Sequence, residues 1–128
     1  MMFPPRVLVA LNDVETRKAF SRALPSKSVE TVFTNSVSEA RQILSHEPIA
    51  MVIVEDRLQD GSFRDMLREV SGKRSAVPVV VASHLDDQAE YLEAMKLGAF
   101  DFISAPYRRE EMEWILEHAL HAEAFTSR

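Results

Sequence analysis

The chain has 128 residues, no cysteine and a net charge of -5, with 46% hydrophobic and 27% charged residues. That length suits one ordinary domain with its own core, and the proportions are globular rather than disordered. Disulfides, thiolate metal sites and thiol nucleophiles are excluded, no apolar run approaches the roughly 18 residues of a membrane span, and the acidic balance gives nucleic-acid binding no support.

Two kinds of segment alternate along the chain. The N-terminus, MMFPPRVLVAL, has prolines ahead of a short apolar run and reads as a strand rather than a signal peptide. The cytoplasm is therefore the expected compartment. The first strand is Val7 to Leu11. Glu15 to Leu24 follows as a helix, with Ala19, Phe20, Ala23 and Leu24 at three- and four-residue spacing. Val29 to Phe33 is a weaker strand. Ser36 to Leu44 is a helix with Ala40, Ile43 and Leu44 on one stripe, and Ser36 with Glu39 forms a capping box.

Ala50 to Val54 is apolar at every position, as in a strand buried on both faces. Ser62 to Val70 carries Phe63, Met66, Leu67 and Val70 on a helical stripe. Val77 to Ala82 is the next strand, interrupted by Pro78. Asp86 to Leu97 is a helix closed by Gly98 as its C′ residue. Ala99 to Ile103 is a second weak strand. Arg109 to Ala124 ends the chain as a helix carrying Met112, Ile115, Leu116, Ala119 and Leu120.

Strand and helix alternate five times with short connections. The fold class is therefore α/β, a five-stranded doubly wound parallel sheet with five helices on its two faces. The polar residues of the second and fifth strands suit the edges. Residues 1–128 form a single domain with a core of about 5–124.

Ligands of such sheets bind beyond the carboxyl ends of the strands. Those ends carry Asn12 and Asp13, then Glu55, Asp56 and Arg57 with Asp60 and Gly61, then Ser83 and His84, then Ser104, Ala105 and Pro106. Four acidic residues converge on one crevice. They suggest a hard divalent cation such as magnesium, or else they are loop residues capping neighbouring helices. No glycine-rich phosphate loop follows any strand, and no serine has a nucleophile-elbow context. His118 and His121 lie three apart on the last helix, a spacing that can hold zinc but more often faces solvent. Trp114 and Phe125 read as packing residues. Arg108 with Arg109, and Lys73 with Arg74, are too short to form a nucleic-acid patch.

RVLVALNDVETR, MVIVEDRLQDGS, VPVVVAS and EAMKLGAFDFISAP together resemble the receiver domain of bacterial two-component response regulators, over essentially the whole chain. The resemblance implies a flavodoxin-like three-layer sandwich. It also implies a magnesium-binding acidic pair after the first strand, a phosphoacceptor aspartate after the third, a switch hydroxyl after the fourth, and a lysine before a proline after the fifth. The acidic pair falls on Leu11 and Asn12, with Asp13 next, and the acceptor position falls on Glu55, with Asp56 as the alternative acceptor. Leu58 and Gln59 stand where methionine and proline are usual. Ser83 holds the hydroxyl position and Phe102 the aromatic switch position. Ala105 stands where lysine is expected, although Pro106 is retained, and the bond before it is expected to be cis.

The expected function is therefore an atypical receiver: a non-enzymatic protein-interaction module of a phosphorelay pathway, without ordinary aspartyl phosphorylation. Two alternatives stand beside it. One is a conventional receiver phosphorylated on Asp56; the other is a receiver fragment of a larger regulator or hybrid kinase. No cofactor is expected beyond weak magnesium on Asp13 and Glu55 or Asp56. The expected partner is a signalling protein, or a second copy docking through the fourth helix, fifth strand and fifth helix. There Tyr91, Phe102 and Tyr107 supply aromatic anchors, while Glu90, Glu93, Glu110 and Glu113 oppose Lys96, Arg108 and Arg109. Neither nucleic acid nor membrane is an expected partner of the domain.

Overall fold

The valine-rich runs pair into one parallel sheet. The structure, a computed structural model, describes residues 4–24, 28–71, 77–85 and 87–121. Its elements are β1 (Arg6–Ala10), α1 (Val14–Ala23), β2 (Glu30–Thr34), α2 (Val37–His46), β3 (Met51–Glu55), β4 (Arg57–Leu58), β5 (Gly61–Ser62), α3 (Phe63–Ser71), β6 (Val79–Ser83), α4 (Gln88–Lys96), β7 (Asp101–Ser104) and α5 (Arg109–Leu120). The five long strands run parallel in the order β2-β1-β3-β6-β7. The two strands with polar residues, β2 and β7, are the edges. Strands β4 and β5 form a small antiparallel hairpin between β3 and α3.

Alternation along each strand divides the core. Val7 and Val9 of β1, with Met51 and Ile53 of β3, pack against Phe20 and Ala23 of α1 and Met112, Ile115, Leu116 and Ala119 of α5. Leu8 and Ala10, with Val52 and Val54, face the opposite way. They meet Val37 and Ala40 of α2, Phe63, Met66, Leu67 and Val70 of α3, and Ala94 of α4. Every residue of β3 is buried, Met51 to Val54 as an unbroken apolar run requires and Glu55 as a buried carboxyl group at its end. Among the described residues no helix is long and apolar enough to cross a membrane.

Helix ends follow local chemistry. Gly98 has φ 101°, with its N–H on Met95 O (3.1 Å) and the Ala99 N–H on Ala94 O (3.0 Å). That is a Schellman close, and only glycine takes the left-handed position without strain. Ser36 caps α2 as expected, accepting from Glu39 N at 3.0 Å. The reciprocal half of the capping box is absent: the Glu39 carboxylate accepts from the Thr34 hydroxyl instead. Helix α4 begins at Gln88 with Asp87 as its N-cap; Asp86 lies outside the described residues, as do Lys73, Arg74, Phe125 and the last residues expected in α5. Strand β6 starts at Val79 rather than Val77. Pro78 has no N–H to give the ladder, and only its carbonyl serves, accepting from Val52 N at 2.9 Å. Trp114 is not a core residue. It is 53% exposed and stacks on His118 with ring centroids 3.9 Å apart.

Candidate functional site

Parallel register sets the carboxyl ends of β1, β3 and β6 side by side. Glu55 pairs with Ala82, and the Asp56 N–H extends that ladder to Ala82 O at 2.9 Å. Glu55, Asp56, Ser83 and His84 thus leave the sheet as neighbours, with the β1–α1 turn beside them.

Glu55 is 1% exposed, yet its carboxylate is well satisfied. Oε1 accepts from the backbone N–H of Asn12 (2.5 Å) and of Asp13 (3.1 Å). These amides open α1, where unpaired donors and the helix dipole favour an anion. Oε2 lies 3.0 Å from His84 Nε2 and 3.5 Å from the Thr16 hydroxyl. Burial pushes the Glu55 carboxyl above the usual glutamate range, against the lowering pull of the Asp13 and Asn12 amides and His84.

Asp13 is the N-cap of α1. It accepts from Thr16 N at 2.9 Å and Thr16 Oγ1 at 3.0 Å, and these bonds hold its carboxyl below the usual range. The Asp13 Oδ2 is 3.8 Å from His84 Nε2, and Asp56 Oδ1 is 3.9 Å from His84 Nδ1. Asp56 follows the end of β3, so strict alternation does not turn it away, and its side chain is 20% exposed beside the imidazole. Asp60 does not reach the crevice. It accepts from Val37 N (2.6 Å) and Ser38 N (3.0 Å), capping α2, and these bonds lower its pKa.

Leu11 is also elsewhere. Its side chain is 3% exposed in the apolar cluster of α1 and α5, so an aspartate there would enter the core rather than the crevice. Asn12 is exposed and contributes its backbone N–H. Arg57 is exposed on β4, opposite Ser62. Ser83 is 1% exposed. Its oxygen accepts from Leu85 N at 3.2 Å, and its hydroxyl serves the Glu90 carboxylate on α4. Phe102 is partly buried on the α2–α4 side of the sheet, edge-on to Tyr91 with centroids 5.8 Å apart. The Ala105–Pro106 peptide is cis. Ala105 offers no charge. Two residues on, Tyr107 donates its hydroxyl to Ser83 O at 2.8 Å and packs on Phe20. Burial raises the Tyr107 pKa, with Glu55, Asp56 and Asp13 adding to the effect.

Two residues of this arrangement carry no sequence motif. Thr16 is buried on the same stripe as Phe20 and Ala23, and a hydroxyl on a core-facing stripe was the available signal. The His84 nitrogen that touches Glu55 is also 2.8 Å from Thr16 Oγ1, across 68 residues of chain. No local spacing announces that contact.

A family model of the response regulator receiver domain matches residues 7–117. The chain belongs to this family. Over 101 residues the receiver domain is 27% identical to the response regulator protein PilR of Pseudomonas aeruginosa, covering 79% of this chain and 23% of that protein. It is 28% identical over 102 residues to the photosynthetic apparatus regulatory protein RegA of Rhodovulum sulfidophilum, covering 80% of this chain and 56% of that one. The chain thus spans only part of the length of these relatives. A response regulator receiver protein from Pseudomonas putida superposes with TM-score 0.79 at 27% identity, over 91% of this chain and 98% of that one. The receiver domain of the sensor histidine kinase PA1611 from Pseudomonas aeruginosa, with magnesium coordinated in its active-site cleft, has TM-score 0.81 at 15% identity, over 92% of this chain and 98% of that one. At that identity the likeness is one of fold.

Proposed function

We propose that this receiver domain is a signalling and protein-interaction module that does not undergo ordinary aspartyl phosphorylation. The observation that carries the reading is the state of Glu55. Its carboxylate is buried, held by two backbone amides and faced by an imidazole. Its extra methylene carries it across the crevice to the β1–α1 turn, and misplacement of an attacking oxygen by about 1 Å can cost about 100-fold in rate. Phosphoryl transfer also needs positive charge against the developing oxygens, and Ala105 supplies none.

Magnesium suits this pocket poorly. It prefers a near-octahedral oxygen shell, whereas Leu11 is in the core, Asp13 is engaged with Thr16, and a nitrogen ring stands at the mouth. When ionised, Glu55 supplies a charge of about -1 where a phosphoryl group would bring about -1.5 to -2. The mimic is partial.

One observation favours the conventional reading, phosphorylation on Asp56: its carboxylate does lie at the mouth, against His84. Intact-mass spectrometry after incubation with acetyl phosphate and magnesium decides between the two. An unchanged mass is expected. A gain of one phosphoryl group abolished by Asp56→Asn restores the conventional receiver.

The proposed partner surface is the face made by α4, β7 and α5, docking a second copy. Leu92 and Met95 are exposed on α4 beside Tyr91, and β7 is a sheet edge. Arg108, Arg109, Glu110 and Lys96 supply charges for a two-fold contact. Glu93 is not among them, because it is already paired with Arg64.

A further inference from the structure

The pocket holds a chelating set. Glu55, Asp56 and His84 each offer one ligand atom, and these atoms lie within 4.8 Å of one another. They leave two neighbouring strands whose register is fixed by the sheet, so the donors are placed by rigid elements rather than by a long loop.

We propose that this set binds a borderline divalent transition-metal ion of the zinc class, through one ring nitrogen of His84 and one carboxylate oxygen each of Glu55 and Asp56, with water completing the shell. The inference does not rest on the phosphorylation reading, because a pocket open or closed to phosphoryl transfer presents the same donors.

Donor chemistry selects the ion. Hard cations take oxygen shells, whereas imidazole suits zinc, copper, nickel and iron. Bonds of about 2.0–2.2 Å in a tetrahedral zinc site put ligand atoms about 3.3–3.6 Å apart. His84 Nε2 lies 3.0 Å from Glu55 Oε2, and one ligand atom from each of the three residues lies within 4.8 Å of the others, so the Asp56 carboxylate closes in when the ion binds.

The surroundings orient the donors as a metal site requires. The amides of Asn12 and Asp13 hold Oε1 and leave Oε2 turned to the imidazole. The Thr16 hydroxyl lies 2.8 Å from His84 Nε2, a contact that an ion on that nitrogen replaces. His84 is 49% exposed at its side chain, so an ion enters from solvent without any element opening. An ion bound here bridges the ends of β3 and β6, giving the pocket a non-covalent input.

The test is titration of the full chain with zinc chloride and with cobalt(II) chloride, by calorimetry and by the visible absorption of cobalt. Magnesium chloride is titrated in parallel. One zinc per chain is expected, at least about 100-fold tighter than magnesium. His84→Ala and Asp56→Asn each weaken it by at least about tenfold, while joint replacement of His118 and His121 by alanine leaves it unchanged. Circular dichroism checks that each variant is folded; if His84→Ala is not, Asp56→Asn carries the same comparison. The proposal is overturned if the wild type shows no saturable zinc binding. It is equally overturned if binding survives in the folded pocket variants, or is lost with His118 and His121.

Discussion

The Nε2 atom of His84 stands 3.0 Å from Glu55 Oε2 and 2.8 Å from Thr16 Oγ1. A single imidazole therefore joins the end of β3 to the first turn of α1. The pocket is a closed hydrogen-bonded group, and its responses to substitution follow from that.

Glu55 is expected to set one limb of the pH–stability curve. Its folded pKa is raised above the unfolded value, mainly by burial. The folded chain then holds the proton more tightly, so stability falls as pH rises from the ordinary glutamate range through the folded pKa. Glu55→Gln removes that fall. Urea melts of both proteins between about pH 4 and pH 8 check it, and parallel curves for the two would contradict it.

Asp60 is expected to act in the opposite sense. Its pKa is lowered, chiefly by the Val37 and Ser38 amides at the start of α2. Its contribution is present above the unfolded pKa and is lost as pH falls through the folded one. Asp60→Ala should lower Tm at neutral pH, and the gap from wild type should close in acid. A gap that persists unchanged at low pH would point to packing instead.

Tyr107→Phe deletes one hydrogen bond, to Ser83 O, and keeps the ring against Phe20. The same carbonyl still accepts from Ala105 N at 3.1 Å, so it is not orphaned. The expected cost is about 0.5–1 kcal/mol, read from denaturant midpoints at constant slope. A loss of several kcal/mol would mean that the ring itself had moved.

Charge reversal at Arg108 and Arg109 should weaken self-association measured by sedimentation velocity. Arg109 also donates to the carbonyl of Arg22 at 2.9 Å, so Arg108→Glu alone is the cleaner first variant. Identical monomers at high concentration in all forms would remove the homodimer from the account.

Much of the architecture was legible because it rests on local patterns. Apolar runs such as Met51 to Val54 need no partner to be read as doubly buried strands, and the Leu97-Gly98-Ala99 sequence announces a helix close by its backbone requirement alone. The crevice was legible in part, since Glu55 and Asp56 follow a strand. What escaped depends on pairings across the chain. Asp60 looked like a crevice carboxylate until α2 supplied amides for it. Leu11 looked like a failed metal ligand until its side chain was placed in the core. Trp114 had the composition of a core residue but the wrong face of α5. His84 is legible as a strand-end residue, but its contact with Thr16, 68 residues away in sequence, is not.

Arg64 grips Glu93 with two nitrogens, Nη2 at 2.6 Å from Oε1 and Nε on Oε2. Arg64 is the second residue of α3, directly after the β4–β5 hairpin that follows Asp56, and Glu93 lies midway along α4. The first turn of α3 and the helix presenting Tyr91, Leu92 and Met95 are thus joined by one bidentate ion pair. The pair is half-exposed, so it holds α4 against the start of α3 only as firmly as the salt around it allows.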